Sequence, residues 1–322
     1  MQRLHSGLWR PLARSAGGKL TTQLRCMSAA VHSSAEKGFT SAGAQLYELG
    51  RPTYTEEAMG TMLDAVFANP LKRDKAVLLE LGAGTGKFTK SFLQFIARED
   101  VQKRWPLLQN TCYMASEPSE GFRDVLAQAL SESWVERGGR ESMEVTVCSA
   151  LGTAIPCQNG SLDGVLVAQA FHWMATEETL TELHRSIRQG GALACIWNSY
   201  DYSHDWLREI DRQILTPAYG TLNTPRQQTG HWKECFATAA GRRIFGELQF
   251  HQRPFIHTGT RATVEARIMS TSVVAELPQE DKQKMQHTLA HILDTQPDLQ
   301  EARETGRWAV PYHTEVAWSY RL

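Results

Sequence analysis

The stretch Ala76-Val77-Leu78-Leu79-Glu80-Leu81-Gly82-Ala83-Gly84-Thr85-Gly86 decides the fold. Its first six residues are almost continuously apolar, which suits a strand buried on both faces of a parallel sheet. A glycine then follows at every second position. Without a Cβ, each lets the chain turn tightly and lets a ligand approach the backbone. Open α/β sheets bind ligands at such strand ends, where the strand order reverses. The spacing is GxGxG. The dinucleotide fingerprint is GxGxxG, with a pyrophosphate at the following helix start. Here Lys87 and Phe88 follow Gly86, so the third dinucleotide glycine is missing. A nicotinamide-dependent oxidoreductase is disfavoured on that ground.

Outward from this loop, strand and helix patterns alternate. Helix is predicted from Lys87 to about Ala97, over Gly121–Trp134 and over Thr176–Arg188, the last closed by Gly190-Gly191. Strands are predicted at Thr111–Ser116, Met143–Cys148, Gly164–Ala168 and Ala192–Trp197. Upstream, Ser41–Leu49 reads as a short helix, and Thr55–Phe67 as a second one with Thr55 as N-cap. Downstream, Trp206–Leu215 and Pro278–Leu293 read as helices, and Leu248–Ile256 and Pro311–Trp318 as strands completing one edge of the same sheet. The predicted class is α/β, a doubly wound, mostly parallel Rossmann-like sheet with an antiparallel edge strand and a helical cover. The core is expected over 76–198, with the cover and edge strands over 199–322.

Glu117 ends the second strand in Ser116-Glu117-Pro118-Ser119. A carboxylate there can accept both hydroxyls of a ribose; the other reading is an exposed turn residue or a helix N-terminal charge. The separation from Gly86 exceeds the usual ~20 residues, so an insert is expected over Arg98–Asn110.

Together with Tyr47-Glu48-Leu49-Gly50-Arg51-Pro52-Thr53-Tyr54, Ser161-Leu162-Asp163-Gly164-Val165, Ala168-Gln169-Ala170-Phe171-His172-Trp173 and Gly190-Gly191-Ala192-Leu193, these motifs resemble the class I S-adenosylmethionine-dependent methyltransferases. Within them the chain resembles the small-molecule branch of trans-aconitate methyltransferase-like proteins, over roughly residues 39 to 320. The resemblance implies S-adenosylmethionine as cofactor, held by the loop from Gly82 through Ala83, Gly84 and Thr85 to Gly86. Glu80 belongs to the same motif. Glu117 would bind the ribose, Ser149 and Ala150 would lie beside the adenine, and Gln169 would line the sulfonium end. The family's Gly-x-Ala stretch is replaced here by Cys148-Ser149-Ala150.

The methyl acceptor would be a small molecule, with a carboxylic acid as one candidate. His172 is either a general base or a histidine packed among aromatics. Trp173 and Trp197 either wall the pocket or belong to the core. By resemblance, Tyr47 and Arg51 fold over the cofactor, where Arg51 either grips an anionic acceptor or forms a surface ion pair. The same fold can serve a binding or assembly factor without turnover.

The whole chain has 322 residues, 42% hydrophobic and 21% charged, with formal net charge −1. That balance gives no basic field for a nucleic acid, and no apolar run reaches the ~20 residues of a membrane span. Six cysteines form no CxxC pair, and no histidine cluster has metal-ligand spacing. They read as reduced thiols. Residues 1–35 carry five Lys or Arg and no acid before Glu36. That is the composition of a mitochondrial transit peptide, or else of a disordered basic tail on a cytoplasmic protein. The methyltransferase domain is placed at 36–322.

Overall fold

The computed structural model describes residues 48–70, 74–131, 143–222 and 224–322. Most of the helix expected over 41–49, and Tyr47 with it, lies outside them. Seven strands form one sheet: β1 Ala76–Leu81, β2 Thr111–Ser116, β3 Glu144–Cys148, β4 Leu162–Ala168, β5 Ile187–Tyr200, β6 Gln249–Gly259 and β7 Trp308–Tyr320. Their order is β3-β2-β1-β4-β5-β7-β6. β1 to β5 pair in parallel, while β7 runs antiparallel to both β5 and β6. The expected antiparallel strand therefore sits between β5 and β6. The order reverses between β1 and β4, which makes that pair the ligand-binding crevice of a doubly wound sheet.

Alternation along the strands supplies two apolar layers. Leu166, Ala168, Ala194 and Ile196 face one core. Val165, Val167, Cys195 and Trp197 face the other. Helices α1 Glu56–Val66 and α2 Lys87–Ile96 cover the first, and α4 Glu177–Ser186 covers the second, after α3 Glu120–Leu130. Thr55 caps α1 through its hydroxyl, which accepts from the Ala58 N–H at 3.3 Å, as its position predicts. The insert over 98–110 forms a short helix, Glu99–Arg104, and a 3-10 turn, Pro106–Asn110.

The largest departure from the predicted bounds lies at the start of β5. Gly190-Gly191 does not close α4, which ends at Ser186, but lies inside β5. Gly190 donates its N–H to the Arg321 carbonyl, and Arg321 donates back to Gly191, both at 2.9 Å. This pairing, 130 residues away in sequence, extends β5 at its start. The cover has its own core, built by α5 Asp205–Ile210, α6 Arg261–Met269 and α7 Gln279–Thr295 against Tyr200, Val310 and Tyr312 of β5 and β7. No helix among the described residues is long and apolar enough to cross a membrane.

Candidate active site

A cavity of about 360 Å³ opens where β1, β2, β4 and β5 end. That falls in the size range of small-molecule sites. The loop after β1 forms its floor. Gly82, Gly84 and Gly86 have φ of +71°, +58° and +85°, left-handed values that side chains resist. Their surroundings differ. A Cβ on Gly82 would lie 2.9 Å from the Ala170 Cβ, and one on Gly86 would lie 2.5 Å from Leu126. At Gly84 a Cβ would meet nothing within 4 Å, because that glycine faces the cavity. The outer two glycines thus permit packing, and the middle one leaves room for a ligand.

Backbone bonds extend the sheet past its strand ends and fix the rim. Ala83 donates to the Ser116 carbonyl at 2.9 Å, Glu117 to Cys148 at 3.1 Å and Gln169 to Ile196 at 2.8 Å. Glu117 is 7% exposed and lines the cavity. Its Oε2 accepts from the Gly84 N–H and its Oε1 from the Ser119 N–H, each at 3.0 Å. Burial pushes its pKa up, and the Ser119 and Gly84 bonds and the Arg123 charge pull it back. Each oxygen keeps acceptor capacity beyond its one backbone bond. Gln169 has φ +57°, a strained value for a residue with a side chain, and its amide donates to the Asn198 carbonyl at 3.1 Å.

Glu80 stands behind the loop. It is fully buried, and its Oε2 accepts from Thr89 Oγ1 and Tyr113 OH, each at 2.7 Å. Burial raises it to about 7. It joins β1, β2 and α2 beneath the glycines and does not line the cavity. Ala83 and Gly86 likewise shape the loop from behind. Ser149 lies off the cavity, within 3.5 Å of Arg123 Nη1, whereas Ala150 lines it together with Leu151, Gly152 and Thr153.

His172 and Trp173 sit on a 3-10 turn, Phe171–Trp173, beyond β4, and both line the cavity. Trp197 does not. It is fully buried in the core, its ring 4.7 Å from that of Trp232, and its indole N–H donates to His172 Nδ1 at 3.3 Å. A neutral imidazole accepting at Nδ1 carries its proton on Nε2. Enclosure lowers His172 to about 3, with the Arg51 charge contributing. The ring is therefore neutral near pH 7 and offers a donor.

A strap from Glu48 to Tyr54 brings Arg51 to the cavity. Glu48 Oε1 accepts from Thr85 Oγ1 at 3.0 Å, and the Glu48 carbonyl accepts from Lys87 Nζ at 2.8 Å. Asn198 Nδ2 donates to the Thr53 carbonyl at 3.1 Å. Gly50 packs directly on α6: a Cβ there would fall 2.2 Å from the Arg267 nitrogen. The cover completes the wall with Tyr219, Gln227, Arg267 and Thr271, which no motif in the sequence marked. Leu151, Gly152 and Thr153 were also missed; their position just past β3 was the available signal.

The matches to known proteins agree with this geometry. Residues 79–195 match the methyltransferase domain family, which spans β1 through most of β5. This segment is similar to methyltransferase domains. The chain is 29% identical over 255 residues to an uncharacterized methyltransferase-like protein of Schizosaccharomyces pombe, covering 79% of this chain and 85% of the relative. It is also 29% identical over 270 residues to an uncharacterized methyltransferase of Mycobacterium tuberculosis, covering 83% and 89%. The fold is shared with the solved structure of a candidate type II methyltransferase from Anaeromyxobacter dehalogenans: TM-score 0.53, 17% identity, covering 84% of this chain and 97% of that one. The similarity to these relatives extends beyond residues 79–195.

The site residues fit S-adenosylmethionine. Gly84 leaves its side-chain volume open to the cavity, and Glu117 is buried beside it with acceptor capacity for a diol. The cofactor carries no phosphate, and the start of α2 bears no second glycine turn to receive one.

Proposed function

We propose that this protein is an S-adenosylmethionine-dependent methyltransferase acting on a small carboxylic acid. The observation that carries the reading is Gly84, left-handed, open to the cavity and tied through its N–H to the buried Glu117. Gly82 to Thr85 and Glu117 would hold the cofactor, with Ala150 beside its adenine and Gln169 toward its sulfonium. Bound there, the cofactor supplies an electrophilic methyl group. The protein contributes alignment, which can be worth about 7–11 kcal/mol.

The acceptor side supports an acid. A carboxylate arrives ionised and needs no proton removed. Among the ionisable groups lining the cavity, Arg51 and Arg267 are cationic, and His172 offers Nε2–H as a donor. Arg51 would orient the carboxylate by its planar fork, and His172 would hydrogen-bond an acceptor oxygen. The general-base role gives way to donation in this reading. Trp173 would exclude water from that end.

Methyl-labelled cofactor incubated with a panel of small organic acids tests this. Label recovered in products that release methanol in mild alkali, as methyl esters do, is the expected result. Label confined to alkali-stable products, or no transfer at all, contradicts it. We also propose, from the basic and acid-free composition of residues 1–35, that they are a leader cleaved on entry to the mitochondrial matrix; N-terminal sequencing of the protein isolated from mitochondria should find them removed, and an intact Met1 contradicts it.

A further inference from the structure

A polar chain with a fixed direction ends at the cavity wall. Ser199 Oγ donates to Gln227 Oε1 at 3.2 Å, and Gln227 Nε2 donates to Glu315 Oε1 at 2.9 Å. An ionised carboxylate only accepts, so the Gln227 amide must turn its nitrogen to Glu315 and its oxygen to Ser199. The Ser199 proton is thereby committed, and its oxygen has only lone pairs left to offer. Glu315 polarises the amide and, through it, the hydroxyl, which makes Ser199 Oγ a stronger acceptor than an isolated serine. Ser199 and Gln227 line the cavity, whereas Glu315 stands behind them.

The fold sets this chain in place. Alternation along β5 puts Ser199 on the face of Trp197, whose indole meets His172, so Ser199 and His172 share one wall. Asn198 turns to the other face, where its amide donates to the Thr53 carbonyl and accepts from Thr314 Oγ1 at 2.7 Å. Gln227 opens a 3-10 turn, Gln227–Thr229, anchored by the residue before it. Arg226 pairs with Asp211 and donates to the Tyr202 hydroxyl at 3.2 Å and to Thr216 Oγ1 at 3.1 Å.

A ligand group that meets Ser199 must bring a hydrogen. An ammonium and a hydroxyl both do. An ammonium would share the cavity with two cations, Arg51 and Arg267, while Glu117, the one acid among the described lining residues, belongs to the sheet end. A hydroxyl brings its hydrogen without charge, and its oxygen can take the Nε2 hydrogen that Gln227 does not give to Glu315. We propose that Ser199, with Gln227 behind it, is a specificity-determining residue that accepts a hydrogen bond from a hydroxyl of the acceptor, so that the acceptor is a hydroxy acid. This inference rests on the cavity being a methyl-transfer site for an acid, and it adds the neutral group read beside the carboxylate.

Binding, measured apart from turnover, tests it. Butanoate, its 2-, 3- and 4-hydroxy derivatives and their methyl ethers are titrated into the full chain by calorimetry, with S-adenosylhomocysteine present. At least one hydroxybutanoate should bind the wild-type protein about tenfold or more tightly than butanoate, the worth of one well-made hydrogen bond. Its methyl ether keeps the oxygen, lacks the hydrogen and should lose that gain. Ser199→Ala should bring the ratio of alcohol to butanoate affinity within about twofold of unity, with S-adenosylhomocysteine affinity also within about twofold of wild type. Gln227→Met frees the Ser199 proton to donate, so the ether should then bind nearly as well as the alcohol. The inference is overturned if no hydroxybutanoate exceeds butanoate, if the ether matches its alcohol in the wild type, or if the preference survives in Ser199→Ala. The wild-type comparison of alcohol with ether stands even where a variant does not fold. Failure of S-adenosylhomocysteine to bind wild-type protein would count against the functional reading instead, and the acid ratios would still be scored. Failure of every acid to bind, butanoate included, would count against both.

Discussion

At the sheet end, the cavity wall comes from backbone and one carboxylate: Gly82 and Gly84 of the left-handed bend, and Glu117 held by two amides. At the cover end it comes from side chains on separate elements: Arg51 from the strap, Tyr219 and Gln227 from the segment after α5, Arg267 from α6. The first end is short-range in sequence and fixed by backbone conformation. The second is assembled from residues more than 200 positions apart. A ligand shared by many enzymes can be read by a conserved bend in the chain, whereas an acceptor particular to one enzyme is read by side chains that vary without disturbing the sheet.

If that contrast holds, Gly84→Val has the largest effect. Its side chain would occupy ligand space and force an unfavourable φ, so cofactor affinity should fall by more than about a hundredfold. Thermal melting should still show a cooperative transition. Glu117→Gln comes next. It keeps the shape but loses the charge that strengthens each hydrogen bond, costing about 1.5–3 kcal/mol of cofactor affinity by calorimetry. Acceptor binding at the cover end should be little changed in both variants, and a parallel loss there would erase the distinction between the two ends.

Gly50→Ala attacks the joint instead. A Cβ 2.2 Å from the Arg267 nitrogen forces the strap off α6. Overpacking of that kind costs about 1–3 kcal/mol in denaturant unfolding, and here it should weaken acceptor binding more than cofactor binding.

His172 gives a pH signature. The unfolded imidazole binds a proton near pH 6.5, and the folded one holds off until about 3. Between those values the unfolded state carries more protons, so stability falls as pH drops from 6.5 toward 3, by at most about 1.4 kcal/mol per pH unit. Glu80 acts in the opposite sense between about 4.5 and 7, where the folded state holds the extra proton. His172→Gln should therefore flatten the acid limb of a stability–pH curve and leave the Glu80 contribution visible. The smallest effect is expected for Thr260→Ala, which removes the capping box of α6. It should cost about 1 kcal/mol of stability and leave the glycine loop untouched.

The same contrast explains what could be read from sequence. β1 and β2 form at the predicted residues because a buried parallel strand is a local apolar run closed by turn residues. Gly84 and Glu117 were legible because backbone conformation and strand ends leave short, fixed patterns. Gly190-Gly191 misled because it resembles a helix stop, and only Arg321, across the sheet, supplies the bonds that make it strand. Trp197 was placed at the pocket by its neighbourhood in sequence, but the alternation of β5 turns it into the core, where it orients His172 from behind. Arg267 had no local signal: α6 brings it to the cavity from far along the chain, which spacing along a helix cannot show.

The central claim is that the glycine bend and Glu117 hold an adenosyl sulfonium. Calorimetric titration of S-adenosylmethionine into the wild-type protein and Gly84→Val measures it most directly. One saturable site in the wild type and none in the folded variant is the predicted result. Equal affinity in the two proteins would contradict it.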